Sequence, residues 1–267
     1  MKSLQLQIDH VGLLAPLIAP LVEEFRSLGF SVVGPAELTA VDASGNNVGL
    51  GQYSAHVMFG DDYIELTAVE APFPGHHLQQ FLDKPWGLRL MLIACEDIEQ
   101  AHTDCRVKKL AAGDVQTAGR SIDYQDGAEA RFKWFGLAAE EWPDVLVAFV
   151  QHLSKELVFD QRVARHDNGA SAITRIFCRG DALAAAYEKL ASDGKHRVEM
   201  LSSEELHQAL GFDDVSENAF VAIGIGVADL QATIDYLKTA NIDHRLVQHG
   251  VSVRLQSGVC LVFECVP

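Results

Sequence analysis

The sequence predicts an α+β fold built from tandem βαβββ modules. An apolar run at residues 8–14 is typical of a strand, and apolar residues at three- and four-residue spacing over residues 18–28 indicate a helix. Strand patterns at residues 30–33, 54–59 and 63–66 complete the order β-α-β-β-β. The same order begins again after about eighty residues, so we expect an internal duplication.

Local signals mark the limits of the first module's elements. Gly29 ends the helix, because glycine is favoured just beyond a helix C-terminus. Residues 42–47 form a cluster of turn-forming side chains within residues 34–52. We therefore predict a long surface connection over residues 34–52.

The second module spans residues 86–152, as the first spans residues 4–70. Its apolar patterns follow the same order as those of the first module. We expect a strand at 88–94, a helix at 98–105, strands at 120–124 and 128–135, and a closing strand at 145–152.

A polar connector at residues 160–170 marks the predicted boundary between two halves, residues 1–156 and residues 167–267. The second half opens with an incomplete third module at residues 170–215, where a helix replaces the final hairpin. The fourth module, at residues 218–265, has a strand, a helix and three further strands. We therefore expect four related units in one chain.

Composition excludes two classes of partner. The chain has 267 residues, 48% of them hydrophobic, and a formal net charge of −16. Nucleic acids and anionic membrane surfaces both require clustered Lys and Arg, so neither is an expected partner. The five cysteines show no Cys-x-x-Cys spacing, and the first residues show no apolar leader. These features predict a cytoplasmic protein with free thiols.

Three polar side chains interrupt the apolar strands of the first module: His10, His56 and Glu65. A buried carboxylate needs a cation or a metal to offset its desolvation, so His10 and Glu65 in two strands of one unit indicate a functional site. His56 has two open interpretations. It is either a hydrogen-bonded histidine of the sheet or a pocket histidine between His10 and Glu65 and a candidate acid or base.

Three sequence motifs lie at the same places: Asp-His-Val at residues 9–11, Leu-Gly-Phe at residues 28–30 and Phe-Gly-Asp-Asp-Tyr-Ile-Glu-Leu at residues 59–66. With these motifs the chain resembles the vicinal oxygen chelate superfamily, and within it the glyoxalase-like domain group. The resemblance implies that two modules pair and that their curved mixed sheets enclose a cleft. Fold-level resemblance in this superfamily spans several chemistries, so it does not identify a substrate.

The resemblance also implies a divalent metal ion, Zn, Ni, Mn or Fe, held by the first and fourth strands of both modules. Carried over by position, His10 and Glu65 match in the first module. The second module offers Leu90 or Met91 in its first strand, which are not ligands for a hard ion, and Gln151 in its fourth. The expected metal ligands are therefore His10, Glu65 and Gln151.

Three further residues are candidate substrate contacts: Arg131, Trp134 and Gln52. Arg131 could clamp an anionic group, since a guanidinium binds carboxylate or phosphate through two hydrogen bonds. The alternative is a solvated outer strand face, with the aromatic side chains of that strand in the core. A small-molecule ligand is the expected partner, and a homodimer is an open alternative to a monomer.

Two hypotheses for function remain open. The first is a metal-dependent lyase, isomerase or dioxygenase for a small oxygenated metabolite, in which Glu65 takes a proton next to a carbonyl and His56 acts as an acid or base. The second is a metal-free protein that sequesters a small ligand, similar to the bleomycin-resistance members of the superfamily. A stoichiometric metal lost with His10 or Glu65 would favour the first hypothesis.

Overall fold

Two β-sheets organise the chain in this computed structural model, which describes residues 2–41, 44–180, 184–191 and 194–266. One sheet is a closed barrel of eight strands, and the other is an open sheet of seven strands. The predicted α+β fold of βαβββ modules with curved sheets is confirmed.

The first half of the chain supplies the eight strands of the barrel and also one strand of the second sheet. Its elements are β1 (Lys2–Leu6), β2 (Ile8–Ala15), α1 (Ile18–Ser27), β3 (Val33–Val41), β4 (Asn47–Met58), β5 (Tyr63–Val69), β6 (Gly87–Ala94), α2 (Ile98–Val107), β7 (Gln116–Ile122), β8 (Ala128–Gly136), β9 (Leu146–His152) and α3 (Lys155–Val158). The second half supplies β10 (Ala170–Arg179), α4 (Ala184–Leu190), β11 (His196–Leu201), α5 (Ser203–Leu210), β12 (Phe220–Val227), α6 (Leu230–Thr239), β13 (Arg245–Val247), β14 (Gly250–Arg254) and β15 (Cys260–Cys265).

The barrel closes because the two modules pair at both of their edges. Its strand order is β2-β5-β4-β3-β7-β8-β9-β6. The antiparallel pair of β3 with β7 joins the modules on one side, and the antiparallel pair of β2 with β6 joins them on the other. Alternate side chains of every strand therefore point into a shared interior.

Residues 34–52 do not form the surface connection that the sequence predicts. They make up most of β3 and the first part of β4, and residues 42–43 of the expected turn lie outside the described residues. The side chains of β3 are at most half-buried, and Gly49 and Gly51 interrupt β4. These segments therefore lack the regular alternation of buried and exposed side chains by which a strand is recognised.

The second sheet contains one strand from the start of the chain. Its order is β1-β11-β10-β12-β15-β14-β13, and β1 pairs antiparallel with β11. The division into residues 1–156 and 167–267 stays a prediction. Residues 181–183 and 192–193 of the predicted third module lie outside the described residues.

A buried carboxylate, Asp62, joins the two sheets. Its Oδ2 lies 3.1 Å from Nε2 of His196, and its Oδ1 accepts a hydrogen bond of 3.1 Å from the Ile173 amide. Nδ1 of His196 in turn accepts the amide hydrogen of Ile8 at 3.0 Å. Asp62 and His196 are both fully buried. This network fixes the start of β2, and so the barrel, against β10 and β11.

Candidate active site

A narrow cavity lies inside the barrel. Hydrocarbon and aromatic side chains form much of its wall, among them Leu90, Leu92, Phe132 and Trp134. The cavity has a volume of about 50 Å³. One water needs roughly 10–15 Å³ of such a volume, so the cavity suits a small metabolite.

Strands β2 and β5 bring His10 and Glu65 together in this cavity. The strands are parallel neighbours, with Gly12 opposite Glu65 and His10 opposite Tyr63. Nε2 of His10 lies 3.4 Å from Oε2 of Glu65. The other carboxylate oxygen accepts a hydrogen bond of 2.6 Å from the Ser54 hydroxyl. Both oxygens of this buried carboxylate thus have a partner within the protein.

A β-bulge places Asp9 behind His10. The register of β2 against β6 shifts between Ile8 and His10, so Asp9 is the extra residue. Its Oδ1 lies 2.7 Å from Nδ1 of His10, and its carboxylate lies 3.1 Å from Nε2 of His152. Glu65, His10, Asp9 and His152 therefore form a continuous chain of alternating carboxylates and imidazoles.

The charges of this chain stabilise one another. Burial lowers the pKa of His10, but its hydrogen bonds to Asp9 and Glu65 outweigh burial and raise the pKa above its ordinary value. Burial raises the pKa of Glu65, yet the hydrogen bonds and charges of its partners, first of all His10, lower it overall. The pKa of Asp9 is lowered in the same way by His152 and His10, against the effect of burial. An imidazolium of His10 between two carboxylates is the state that this arrangement favours.

His56 is the neutral member of the site. It lies directly opposite Glu65 in the antiparallel pair of β4 and β5, so the two side chains share the cavity face. Burial lowers the pKa of His56 well below its ordinary value, and the charges of Arg120 and His10 lower it further. An ionised Glu65 and a neutral His56 therefore face the cavity side by side.

Some buried polar atoms of the cavity have no hydrogen-bond partner among the described residues. They are Nη2 of Arg120, Oε1 of Gln52 and Nδ1 of His152. Leaving such an atom unpaired costs roughly 1–3 kcal/mol, so a polar ligand would gain by meeting them.

The structure brings most of the predicted site residues to one place. His10, Gln52, His56, Glu65 and Trp134 all line the cavity. Their assigned roles in metal binding, catalysis and substrate binding stay predictions. This shared location is what those roles require.

Arg131 and Gln151 are placed elsewhere, and both expectations need correction. Arg131 is exposed on the outside of β8, where its guanidinium lies 3.1 Å from Glu129. The Gln151 amide donates to the Glu96 carbonyl at 2.6 Å and accepts from the Ile98 amide at 3.3 Å, outside the barrel. Side chains alternate along a strand, so the residues next to Arg131 and Gln151 in sequence point into the cavity instead.

Sequence reasoning missed Arg120, His152 and His77, which all line the cavity. Arg120 lies in a strand of small residues and pairs with Leu38 and Ala130. A single charged side chain in such a strand could have indicated a site residue. His152 follows Gln151 on the opposite face, so alternation could have found it if the register of β9 were known. His77 packs against Trp134, with ring centroids 5.1 Å apart, and precedes no recognisable strand.

The residues present do not fit the expected metal ion. Gln151 points away, and Leu90 and Leu92 present hydrocarbon to the cavity where the second module would supply ligands. His152 of the fourth strand faces the cavity with Nδ1 unpaired, while its Nε2 is engaged by Asp9. Among the described residues no group of three His, Cys, Asp or Glu side chains is placed to hold a metal. His10 and Glu65 alone form an ion pair instead of a ligand set.

A barrel of two βαβββ modules around a central cavity is the architecture of the vicinal oxygen chelate superfamily, so the resemblance predicted from the motifs is confirmed. The family model described as "Glyoxalase-like domain" matches residues 8–194. The chain belongs to this glyoxalase-like domain family.

Comparison with solved structures supports the fold. A hypothetical protein from Staphylococcus aureus has a TM-score of 0.61 and 10% sequence identity, and the match covers 97% of this chain and 99% of that one. A Streptomyces coelicolor methylmalonyl-CoA epimerase in complex with 2-nitronate-propionyl-CoA has a TM-score of 0.39 and 18% identity, with 56% of this chain and 99% of that one covered. The first likeness shows a shared fold alone, and the second carries no argument.

No curated protein matches this chain in sequence. Within the described residues no helix is long and apolar enough to span a membrane. The cytoplasmic location and the homodimer stay predictions.

Proposed function

We propose that this chain is an enzyme that moves a proton at a carbon next to the carbonyl group of a small oxygenated metabolite, as a lyase or isomerase does. One observation carries the proposal: a carboxylate, Glu65, and an imidazole, His56, face the same buried cavity from paired strand positions. The lowered pKa of Glu65 favours its ionised form, and the lowered pKa of His56 favours its neutral form. General acid–base catalysis requires such a pair, one group ready to accept a proton and one able to exchange it.

Glu65 acts as the base in this proposal. It takes the proton from the carbon, and the electron pair of that C–H bond moves toward the carbonyl oxygen to give an enolate. The guanidinium of Arg120 lies in the same cavity and stabilises the negative charge that develops there. The proton returns to carbon from Glu65, or it passes through His56 beside it, which accepts the proton of Glu65 on one ring nitrogen and gives the proton of the other nitrogen to the substrate.

His10 and Asp9 position the base. The imidazolium of His10 holds one oxygen of Glu65 and is itself held by Asp9, and Ser54 holds the other oxygen. These contacts fix the carboxylate in one orientation and keep it ionised. Because its pKa is lowered, Glu65 is ionised and ready to accept a proton.

Hydrogen exchange in D2O tests the proposal. The substrates are 1-hydroxybutan-2-one, 2-oxobutanoate and 2-hydroxybutanoate, and NMR follows the loss of the hydrogen next to the carbonyl or carboxylate group. We expect the protein to accelerate exchange of at least one of them. We also expect dialysis against EDTA to leave the rate unchanged, because the site lacks a set of metal ligands.

Two results would contradict this proposal. Exchange that disappears with EDTA and returns with a divalent ion would restore the metal-dependent hypothesis. Tight binding of these compounds without exchange of any of them would favour the metal-free sequestering protein.

A further inference from the structure

Two side chains of the barrel cavity present unpaired atoms of opposite type. Nη2 of Arg120 is a donor without a partner among the described residues, and Oε1 of Gln52 is an acceptor without one. Both side chains are more than nine-tenths buried and line the cavity. A guanidinium nitrogen only donates hydrogen bonds and an amide oxygen only accepts them. A ligand that pairs both atoms must therefore offer an acceptor to Arg120 and a donor to Gln52.

The orientation of the Gln52 amide follows from its surroundings. Its Nε2 donates to the Thr67 hydroxyl at 3.1 Å and lies 3.5 Å from Oε1 of Glu65. A flipped amide would set its oxygen against the Glu65 carboxylate, which is repulsive. The oxygen of Gln52 is therefore the atom left for a ligand.

Arg120 is a buried cation that lines the cavity. No carboxylate of the described residues forms an ion pair with Arg120. A buried guanidinium stays charged and is stabilised by a carboxylate, which it binds with directed hydrogen bonds. A carboxylate on the ligand would supply that partner.

We infer that the ligand is a small monocarboxylic acid with a hydroxyl group on the carbon next to the carboxylate. Arg120 binds the carboxylate, and Oε1 of Gln52 accepts the hydroxyl hydrogen. A short hydrocarbon tail packs against Leu90, Phe132 and Trp134, which supply the apolar wall. This inference rests on the proposed function in that it names the substrate class for the same site.

Binding to the wild-type protein tests the inference without any substitution. Isothermal titration calorimetry compares 2-hydroxybutanoate with its neutral amide, 2-hydroxybutanamide, and with butanoate, which lacks the hydroxyl. We expect the amide to bind roughly 10- to 100-fold more weakly, because the charged hydrogen bond is lost. We expect butanoate to bind about 10-fold more weakly, because Gln52 stays unpaired.

Variants then assign the effect to residues. Arg120→Met should remove the preference for the acid over the amide. Arg131→Met is the matched control, since this arginine lies outside the barrel and should leave the preference intact. Gln52→Met should remove the preference for 2-hydroxybutanoate over butanoate.

The inference is overturned if the wild-type protein binds the amide as tightly as the acid, or if it binds none of the three compounds. It is also overturned if Arg131→Met loses as much of the preference for the acid as Arg120→Met does.

Failure of the proposed function gives a different set of results. Acid binding that depends on Arg120, with no deuterium exchange of any compound, removes the catalytic proposal and leaves this inference standing. Exchange of neutral 1-hydroxybutan-2-one by a protein that does not bind 2-hydroxybutanoate removes this inference and leaves the catalytic proposal standing.

Discussion

Replacing Glu65 by glutamine should reduce the proposed hydrogen exchange by roughly 10²–10⁴-fold, the range that a general base contributes. The amide keeps the shape of the side chain and can still accept the Ser54 hydrogen bond, but it cannot accept a proton. The measurement is the NMR exchange rate of whichever compound the wild-type protein turns over, with the unfolding temperature recorded alongside.

Glu99→Gln is the matched control for Glu65→Gln. Glu99 is an exposed glutamate of α2 whose side chain lies 3.4 Å from Lys133, outside the barrel. We expect this variant to keep the wild-type rate. If Glu65→Gln folds normally and exchanges hydrogen as fast as Glu99→Gln, then Glu65 is not the base.

Asp62→Ala should destabilise the protein by about 2–6 kcal/mol, because it leaves two buried donors without an acceptor, at roughly 1–3 kcal/mol each. The two donors are Nε2 of His196 and the Ile173 amide. At roughly 2–4 °C per kcal/mol for a chain of this size, the unfolding temperature should fall by about 4–24 °C. Scanning calorimetry measures it.

The neighbouring Asp61 provides the control, because it differs from Asp62 mainly in burial. Its side chain is 59% exposed and pairs with Lys195. Such a surface pair is worth about 0–1 kcal/mol, so Asp61→Ala should unfold near the wild-type temperature. Equal losses in the two variants would mean that the Asp62 network does not hold the sheets together.

The sequence predicted those parts of the fold that depend on local periodicity. The strand that carries His10 and the strand that carries Glu65 have strong apolar patterns, and the register of their pairing places both side chains on one face of the sheet. Residues 54–58 of β4 were predicted as a strand, but β3 and the first part of β4 were not. A barrel supports those segments through hydrogen bonds to other strands, and their half-exposed side chains leave no apolar pattern.

The candidate site was harder to predict than the fold, because the side of the sheet to which a strand residue points depends on the register of strand pairing. Arg131 and Gln151 are each one position away from an inward-facing residue, and a shift of one residue reverses every side chain of a strand. The bulge that sets Asp9 behind His10 arises from pairing with β6, some eighty residues away, which no local pattern reports. Arg120 lies in the site through another long-range pairing, that of β7 with β3.

The central claim is that His10 is a buried imidazolium held by two carboxylates and that His56 beside it is neutral. Nitrogen NMR of the histidine side chains measures both states directly at pH values near 6.5, the ordinary pKa of histidine. Because the pKa of His10 is raised and that of His56 is lowered, we expect His10 to be mostly protonated on both nitrogens and His56 to be neutral. A neutral His10 at this pH, or a His10 nitrogen bonded to a metal ion, would contradict the account.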